Sequence, residues 1–348
     1  MIKARESVEQ LAPYVAPLEG RRPMLRLDFN ENILGPSSKV VEAIRQMPAQ
    51  LYATYPEYEG LTQAYAGSLA IDANWVGAFN GADAAIRALF DAYGEAGSPF
   101  LCAVPSFGYY LPCAQQQGMA IEEVPYAADL SYPLAEIGQR LQEGPRLFFI
   151  CNPNNPTTTL IAPQTIVDLA RSAPDTLVVV DEIYAGFTGQ SVVPLLAELD
   201  NVVVLRSLSK MAGMAALRMG FAVGHPTIID RMTRVTGPYD INALAVAASF
   251  AALEDKDYIR CYVEQVAAAK SWTQEQFDQL GVRYMSQGGN YMLVWPPGDC
   301  QGVVQGLRER GILVRSMAGK PVIDGSFRLT VGPLEQMRQF MAAFQAIV

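Results

Sequence analysis

Three stretches in the middle of the chain, RLFFIC (146–151), TLVVVD (176–181) and NVVVL (201–205), are apolar at consecutive positions rather than alternate ones. A strand wetted on one face alternates, whereas one covered on both faces need not. PFLCAV (99–104) and GFAVG (220–224) have the same texture, and Pro, Gly, Asn or Asp bound each run. Between the runs lie segments such as APQTIVDLARSA (162–173), with apolar residues at helical spacing. Strand, helix and strand recurring at about 30 residues is the signature of a βαβ unit. The expected fold is therefore α/β, a mostly parallel central sheet with helices on both faces.

Past residue 240 the pattern changes. NALAVAASFAALED (242–255) and DYIRCYVEQVAAAKSWTQEQFDQLG (257–281) read as long helices. Short strands are expected at NYMLVW (290–295), ILVRSM (312–317) and SFRLTVG (326–332), followed by a closing helix. This predicts a large domain over 35–242 and a smaller α+β domain formed by 1–34 with 243–348.

Half of the 348 residues are hydrophobic and 18% are charged, as a well-buried globular chain requires. A net charge of −9 argues against nucleic acid or an anionic membrane as partner. Cys102, Cys113, Cys151, Cys261 and Cys300 form no C-x-x-C pair, and so read as reduced core thiols. The opening MIKARESVEQLAPYV is too charged for a signal peptide, and no apolar run is long enough to span a membrane. A cytoplasmic protein without a metal centre is expected. The single histidine, His225 in VGHP, reads as a loop residue.

Ligands of open α/β sheets bind beyond the carboxyl ends of the strands. There the sequence places NPNNPTTT (152–159), DEIY (181–184) and RSLSK (206–210), each directly after a predicted strand. Singly these are a turn, a helix cap and a surface lysine. Jointly they are spaced by one βαβ unit each, which brings Asn155, Asp181 and Lys210 to one sheet edge. An amide, a carboxylate and a lysine converging there match the needs of pyridoxal phosphate, which takes a lysine on its aldehyde and an acid on its ring nitrogen. Asp181 would meet the ring nitrogen, and Asn155 and Tyr184 the ring hydroxyl. Ser207, Ser209 and Arg218 would take the phosphate, Arg218 with a bidentate fork. The start of FNGADAAIRALF (79–90) adds Gly81, Ala82 and Asp83, since free amides at a helix N-terminus bind anions.

The stretch SLSKMAGMAALRMG (207–220) resembles the lysine segment of fold-type I pyridoxal-phosphate aminotransferases, especially histidinol-phosphate aminotransferases. LAPYV (11–15), DFNENILGP (28–36), YPEY (55–58), PSFGYY (105–110), NPNNPT, DEIY, PYDIN (238–242) and FRLTVG (327–332) match in order. The resemblance implies a homodimer in which Tyr55 reaches the phosphate of the neighbouring subunit. It implies that Phe107 stacks on the cofactor ring, that Arg328 binds a substrate carboxylate or equivalent anion, and that Arg315 and Tyr14 face the distal end of the substrate. It departs from the family at Thr158, Ala84 and Ala216, where the family carries a glycine, an acid and a glycine.

The implied reaction is transamination, with an amino acid or amino-alcohol phosphate as donor and 2-oxoglutarate as acceptor. Lys210 would serve as general acid and base, with Asp181 and Tyr184 beside it. An aromatic amino acid aminotransferase, a decarboxylase of a phosphorylated amino acid and an inactive cofactor-binding protein are the alternatives. A plain nucleotide-binding module would need a G-x-G-x-x-G turn, which the sequence lacks.

Overall fold

The computed structural model describes residues 2–13 and 17–348. Among the described residues twelve strands are formed. In chain order they are β1 (Leu25–Leu27), β2 (Val76–Asn80), β3 (Pro99–Val104), β4 (Ala120–Pro125), β5 (Leu147–Cys151) and β6 (Leu177–Asp181). There follow β7 (Val202–Ser207), β8 (Met219–Gly224), β9 (Arg283–Met285), β10 (Tyr291–Trp295), β11 (Ile312–Ser316) and β12 (Phe327–Thr330).

Seven strands make one sheet in the order β2-β8-β7-β6-β5-β3-β4. Strands β4, β3, β5, β6 and β7 run parallel, and β5 and β6 are buried on both faces. Phe148, Ile150, Val178, Val180 and Val204 belong to the core on one face. Their neighbours Leu147, Phe149, Val179, Val203 and Leu205 belong to the core on the other. Successive side chains enter opposite cores, so the apolar runs need no polar alternation. Helix Pro163–Ser172 starts with proline at its first turn, where the missing N–H costs nothing, and buries Ile166, Val167, Leu169 and Ala170.

Strand β8 is antiparallel to both β7 and β2. Its run looks like its parallel neighbours, but residues 208–218 leading into it hold only a short 3-10 turn. A parallel return needs a longer crossover. The chain therefore turns back, and the connecting loop carries Lys210.

The five-stranded sheet has the order β1-β11-β12-β10-β9, with the N-terminal β1 parallel to β11. A separate core forms beneath it, including Tyr262, Phe277, Phe327, Phe340 and Phe344. Helix Ala243–Glu254 differs from expectation in its packing. Its Ala245, Val246, Ala248 and Ala252 join the core of the seven-stranded sheet.

Four cysteines are buried, as expected, but Cys261 is exposed on helix Lys256–Gln279. His225 is the N-cap of helix Pro226–Arg234, where its Nδ1 accepts from the Thr227 N–H at 3.2 Å. Among the described residues no helix is long and apolar enough to cross a membrane, and no cluster of residues could hold a metal ion.

Candidate active site

Strands β5, β6 and β7 end side by side, with Cys151 paired to Asp181 and Asp181 to Leu205. The segments leaving them enclose a cleft of about 580 Å3, part of it open to solvent. Ala82, Asp83, Phe107, Asn155, Asp181, Tyr184, Ser207, Ser209, Lys210 and Arg218 all line it. The sequence spacing thus converges as predicted. Gly81, Arg315, Arg328 and Tyr55 lie outside this lining, and Tyr14 falls outside the described residues.

Asp181, the last residue of β6, is 2% exposed. Its Oδ2 accepts from the Tyr110 hydroxyl at 2.6 Å and its Oδ1 from the Ile183 N–H at 3.2 Å. Burial nevertheless pushes its pKa up to about 6, because two donors do not replace the lost water. A cationic ring nitrogen supplied to this carboxylate would reverse that shift.

Lys210 donates from Nζ to the Phe29 carbonyl at 2.9 Å. Burial first, and then the charge of Arg328, lower its pKa to about 8. A lysine poised there is partly neutral near physiological pH, as a nucleophile or base must be. The Tyr184 hydroxyl accepts from Asn30 Nδ2 at 3.0 Å, and burial drives its pKa upward.

Part of the cleft is built for an anion. Helix Ala82–Tyr93 has Gly81 as N-cap with no side-chain cap, so its first amides are not taken by a capping side chain. Gly81 has φ +76°, and a Cβ there would lie 2.5 Å from Arg218 Nη2. A Cβ on Gly220 would lie 2.5 Å from the Ala82 nitrogen. The two glycines make room for the guanidinium and for the helix start. Ser207 and Ser209 stand 2.9 Å apart through their hydroxyls, and Arg218 pairs with Asp83 at 2.8 Å. Helix amides, two hydroxyls and a guanidinium are the donor set of a phosphate cradle. With a lysine and a buried carboxylate also lining this cleft, the residues present fit pyridoxal phosphate. Phe107 lies at the cleft wall, edge-on to Tyr110 with centroids 5.6 Å apart.

The five-stranded sheet meets a lining residue of this cleft, Asn155, through Arg328. Its guanidinium donates to Asn155 Oδ1 and to the Asp28 carbonyl. Arg315 on β11 stands directly opposite Arg328 on β12, and its guanidinium lies 5.9 Å from the centre of the Phe29 ring. Like charges directly across a ladder repel, so an anion between them would be stabilising. Tyr55 lies elsewhere. It is 68% exposed, stacked on Tyr239 at 3.9 Å, in a shallow depression with Leu51 and Tyr52.

Two residues at the site were not singled out from the sequence. Tyr110 holds the buried acid, and Asn30 holds Tyr184 while its backbone N–H donates to Thr330 Oγ1 at 2.9 Å. Both sit inside recognised segments, PSFGYY and DFNENILGP, but only contacts between distant parts of the chain reveal their partners.

Comparison with known proteins agrees with this geometry. The family described as aminotransferase class I and II matches residues 22–344. A histidinol-phosphate aminotransferase of Symbiobacterium thermophilum is 34% identical, covering 99% of each chain. One from Geotalea uraniireducens is 32% identical over 100% of each chain. The structure of histidinol-phosphate aminotransferase from Sinorhizobium meliloti, in complex with pyridoxal-5'-phosphate, shares the fold with a TM-score of 0.89. It is 23% identical and covers 100% of this chain and 99% of its own. With a lysine, a buried acid and a phosphate cradle meeting at one strand edge, this chain belongs to the class I and II aminotransferases.

Proposed function

We propose that the protein is a pyridoxal-phosphate-dependent aminotransferase of the histidinol-phosphate type, moving an amino group from a phosphorylated amino alcohol to 2-oxoglutarate. One observation carries the reading: Lys210 and Asp181 line the same cleft as the phosphate cradle. When bound, the cofactor supplies an electron sink for the negative charge left on the substrate α-carbon.

The chain's own residues do the rest. Asp181 holds a proton at the ring nitrogen, and Tyr110 fixes the direction of its carboxylate. Asn155 and Tyr184 bind the ring hydroxyl oxygen. Ser207, Ser209, Arg218 and the amides following Gly81 bind the phosphate, while Phe107 covers a ring face. Lys210 is the residue that would hold the cofactor's aldehyde carbon, and its amine, when free, would take the α-proton. The lowered pKa of Lys210 suits both tasks. Arg328 and Arg315 bind the anionic ends of donor and acceptor, which supports a substrate bearing phosphate or carboxylate.

The reading includes a cytoplasmic homodimer. The exposed Leu51, Tyr52, Tyr55 and Tyr239 support a subunit contact at that surface, where Tyr55 would reach the neighbour's phosphate cradle. We also place the division between large and small domains near the strand-free segment after residue 254, since helix Ala243–Glu254 packs with the large sheet.

The test is a panel of amino donors with 2-oxoglutarate, followed by absorbance of the bound cofactor and by product analysis. Histidinol phosphate is expected to convert the cofactor to its amine form faster than phenylalanine does. Faster conversion by phenylalanine, or release of carbon dioxide without consumption of the oxo acid, overturns the proposal.

A further inference from the structure

Thr158 is fully buried with φ 68°, in the left-handed region. That region crowds a β-branched residue far more than glycine. What the side chain contributes is visible in its bonds. The Thr158 hydroxyl accepts from the Gln287 N–H at 2.9 Å, and its carbonyl accepts from the Gly288 N–H at 2.9 Å. Gln287 answers with its own side chain, whose Oε1 accepts from the Leu160 N–H at 3.0 Å. Residues 287 and 288 lie in the turn between β9 and β10 of the five-stranded sheet, whereas Thr158 follows β5 of the other sheet.

The same residue closes the turn that carries Asn155. The Thr158 N–H donates to the Asn154 carbonyl at 2.8 Å, so Asn155 lies inside the closed loop. The Tyr291 hydroxyl of β10 also donates to the Asn154 carbonyl, at 2.7 Å. Asn155 Oδ1 in turn receives Arg328. Glycine at 158 would relieve the backbone but would leave the Gln287 amide without its acceptor.

We infer that Thr158 is a positioning residue, whose hydroxyl fastens the Asn155 turn to the β9–β10 turn and so fixes where Asn155 meets the cofactor and where Arg328, bonded to Asn155, meets the substrate. This rests on the aminotransferase reading above, in which Asn155 and Arg328 face cofactor and substrate. The side chain touches neither reactant.

The test compares Thr158→Ser, Thr158→Val and Thr158→Gly in the holoenzyme. Thr158→Ser keeps the hydroxyl and is expected to match the parent. Thr158→Val and Thr158→Gly are expected to raise the KM for the amino donor roughly tenfold while kcat changes less, the scale of one buried hydrogen bond. Hydrogen exchange at the Gln287 amide should quicken by a similar factor in both. Thr158→Gly relieves the backbone, so its thermal midpoint is expected at or above that of Thr158→Val, whereas its KM stays raised. Parental KM and parental Gln287 exchange in Thr158→Gly overturn the inference. So does a Thr158→Ser variant that behaves like Thr158→Val. The exchange measurement needs no turnover; if the enzyme proves to catalyse another reaction, it still decides whether Thr158 is the fastener.

Discussion

The two sheets bring different chemistry to the cleft. The seven-stranded sheet supplies groups whose reactivity burial has changed, with Asp181 pushed up to about 6 and Lys210 down to about 8. The five-stranded sheet supplies the arginines Arg328 and Arg315, paired across β11 and β12. In the proposed reading, one side holds and moves protons and the other recognises negative charge. Loss of a group from the first should stop chemistry, whereas loss from the second should weaken binding. The comparison fails if the two kinds of loss look alike.

The largest effect is expected at Lys210. Lys210→Ala should lower turnover by roughly 10^4-fold or more, since it removes both the nucleophile and the base. Steady-state rates with an amino donor and 2-oxoglutarate would show this. A variant that still cycles amino groups at near parental rate would remove the centre of the site.

Asp181 follows. Asp181→Asn should cost on the order of 10^2-fold in kcat, because a buried amide cannot hold the ring nitrogen protonated. The cofactor-free protein offers a second measurement. A carboxyl whose folded pKa of about 6 exceeds its unfolded value adds stability that is present at low pH. That stability is lost as pH rises from about 4 to about 6, by up to ~3 kcal/mol. Lys210 has the opposite arrangement, with its folded pKa below the unfolded one. The unfolded chain binds more protons between about 8 and 10, so stability should rise with pH there. Denaturant melts of the apoprotein, Asp181→Asn and Lys210→Ala across that range would separate the two slopes. Parallel slopes in protein and variants would show that neither group is buried as described.

On the other sheet, Arg328→Lys keeps the charge but loses the planar fork. The expected result is a KM for donor and oxo acid raised by roughly 10–100-fold, with kcat changed much less. Equal losses in kcat would place Arg328 with the reacting groups and erase the division between the sheets.

Much of the large sheet was legible because Val178, Val179 and Val180 are buried on both faces, which leaves a run that no wet strand would need. The edge strand β4 was not, since Ile121 and Glu123 are exposed and its composition, AIEEVP, resembles a loop. Strand β2 holds a glycine in five residues and likewise lacks a run. The direction of β8 depends on the length of its connection rather than on its own residues. At the site, Asn155, Asp181 and Lys210 could be read from spacing, because parallel strands align their ends. The contacts of Asn30 with Tyr184 and of Arg328 with Asn155 join segments more than 150 residues apart, and no local pattern encodes them. Tyr55 and Tyr239 resemble each other only in being exposed aromatics, which is why sequence spacing did not pair them.

The smallest effect is expected at Phe107, which tests the first sheet's side of the comparison at its weakest point. Phe107 is half-buried at the cleft wall, and its ring is edge-on to Tyr110, the residue that holds Asp181. Phe107→Leu keeps an apolar side chain but removes an aromatic face, worth about 0.5–1.5 kcal/mol where rings meet. Cofactor affinity should therefore fall by roughly 3–10-fold, measured by titrating the apoprotein with pyridoxal phosphate. Donor KM should stay near the parental value, because Phe107 lines the cleft wall whereas Arg328 lies outside that lining. A raised KM with unchanged cofactor affinity would assign Phe107 to the substrate, and the boundary between proton-moving and charge-recognising regions would then run through this ring.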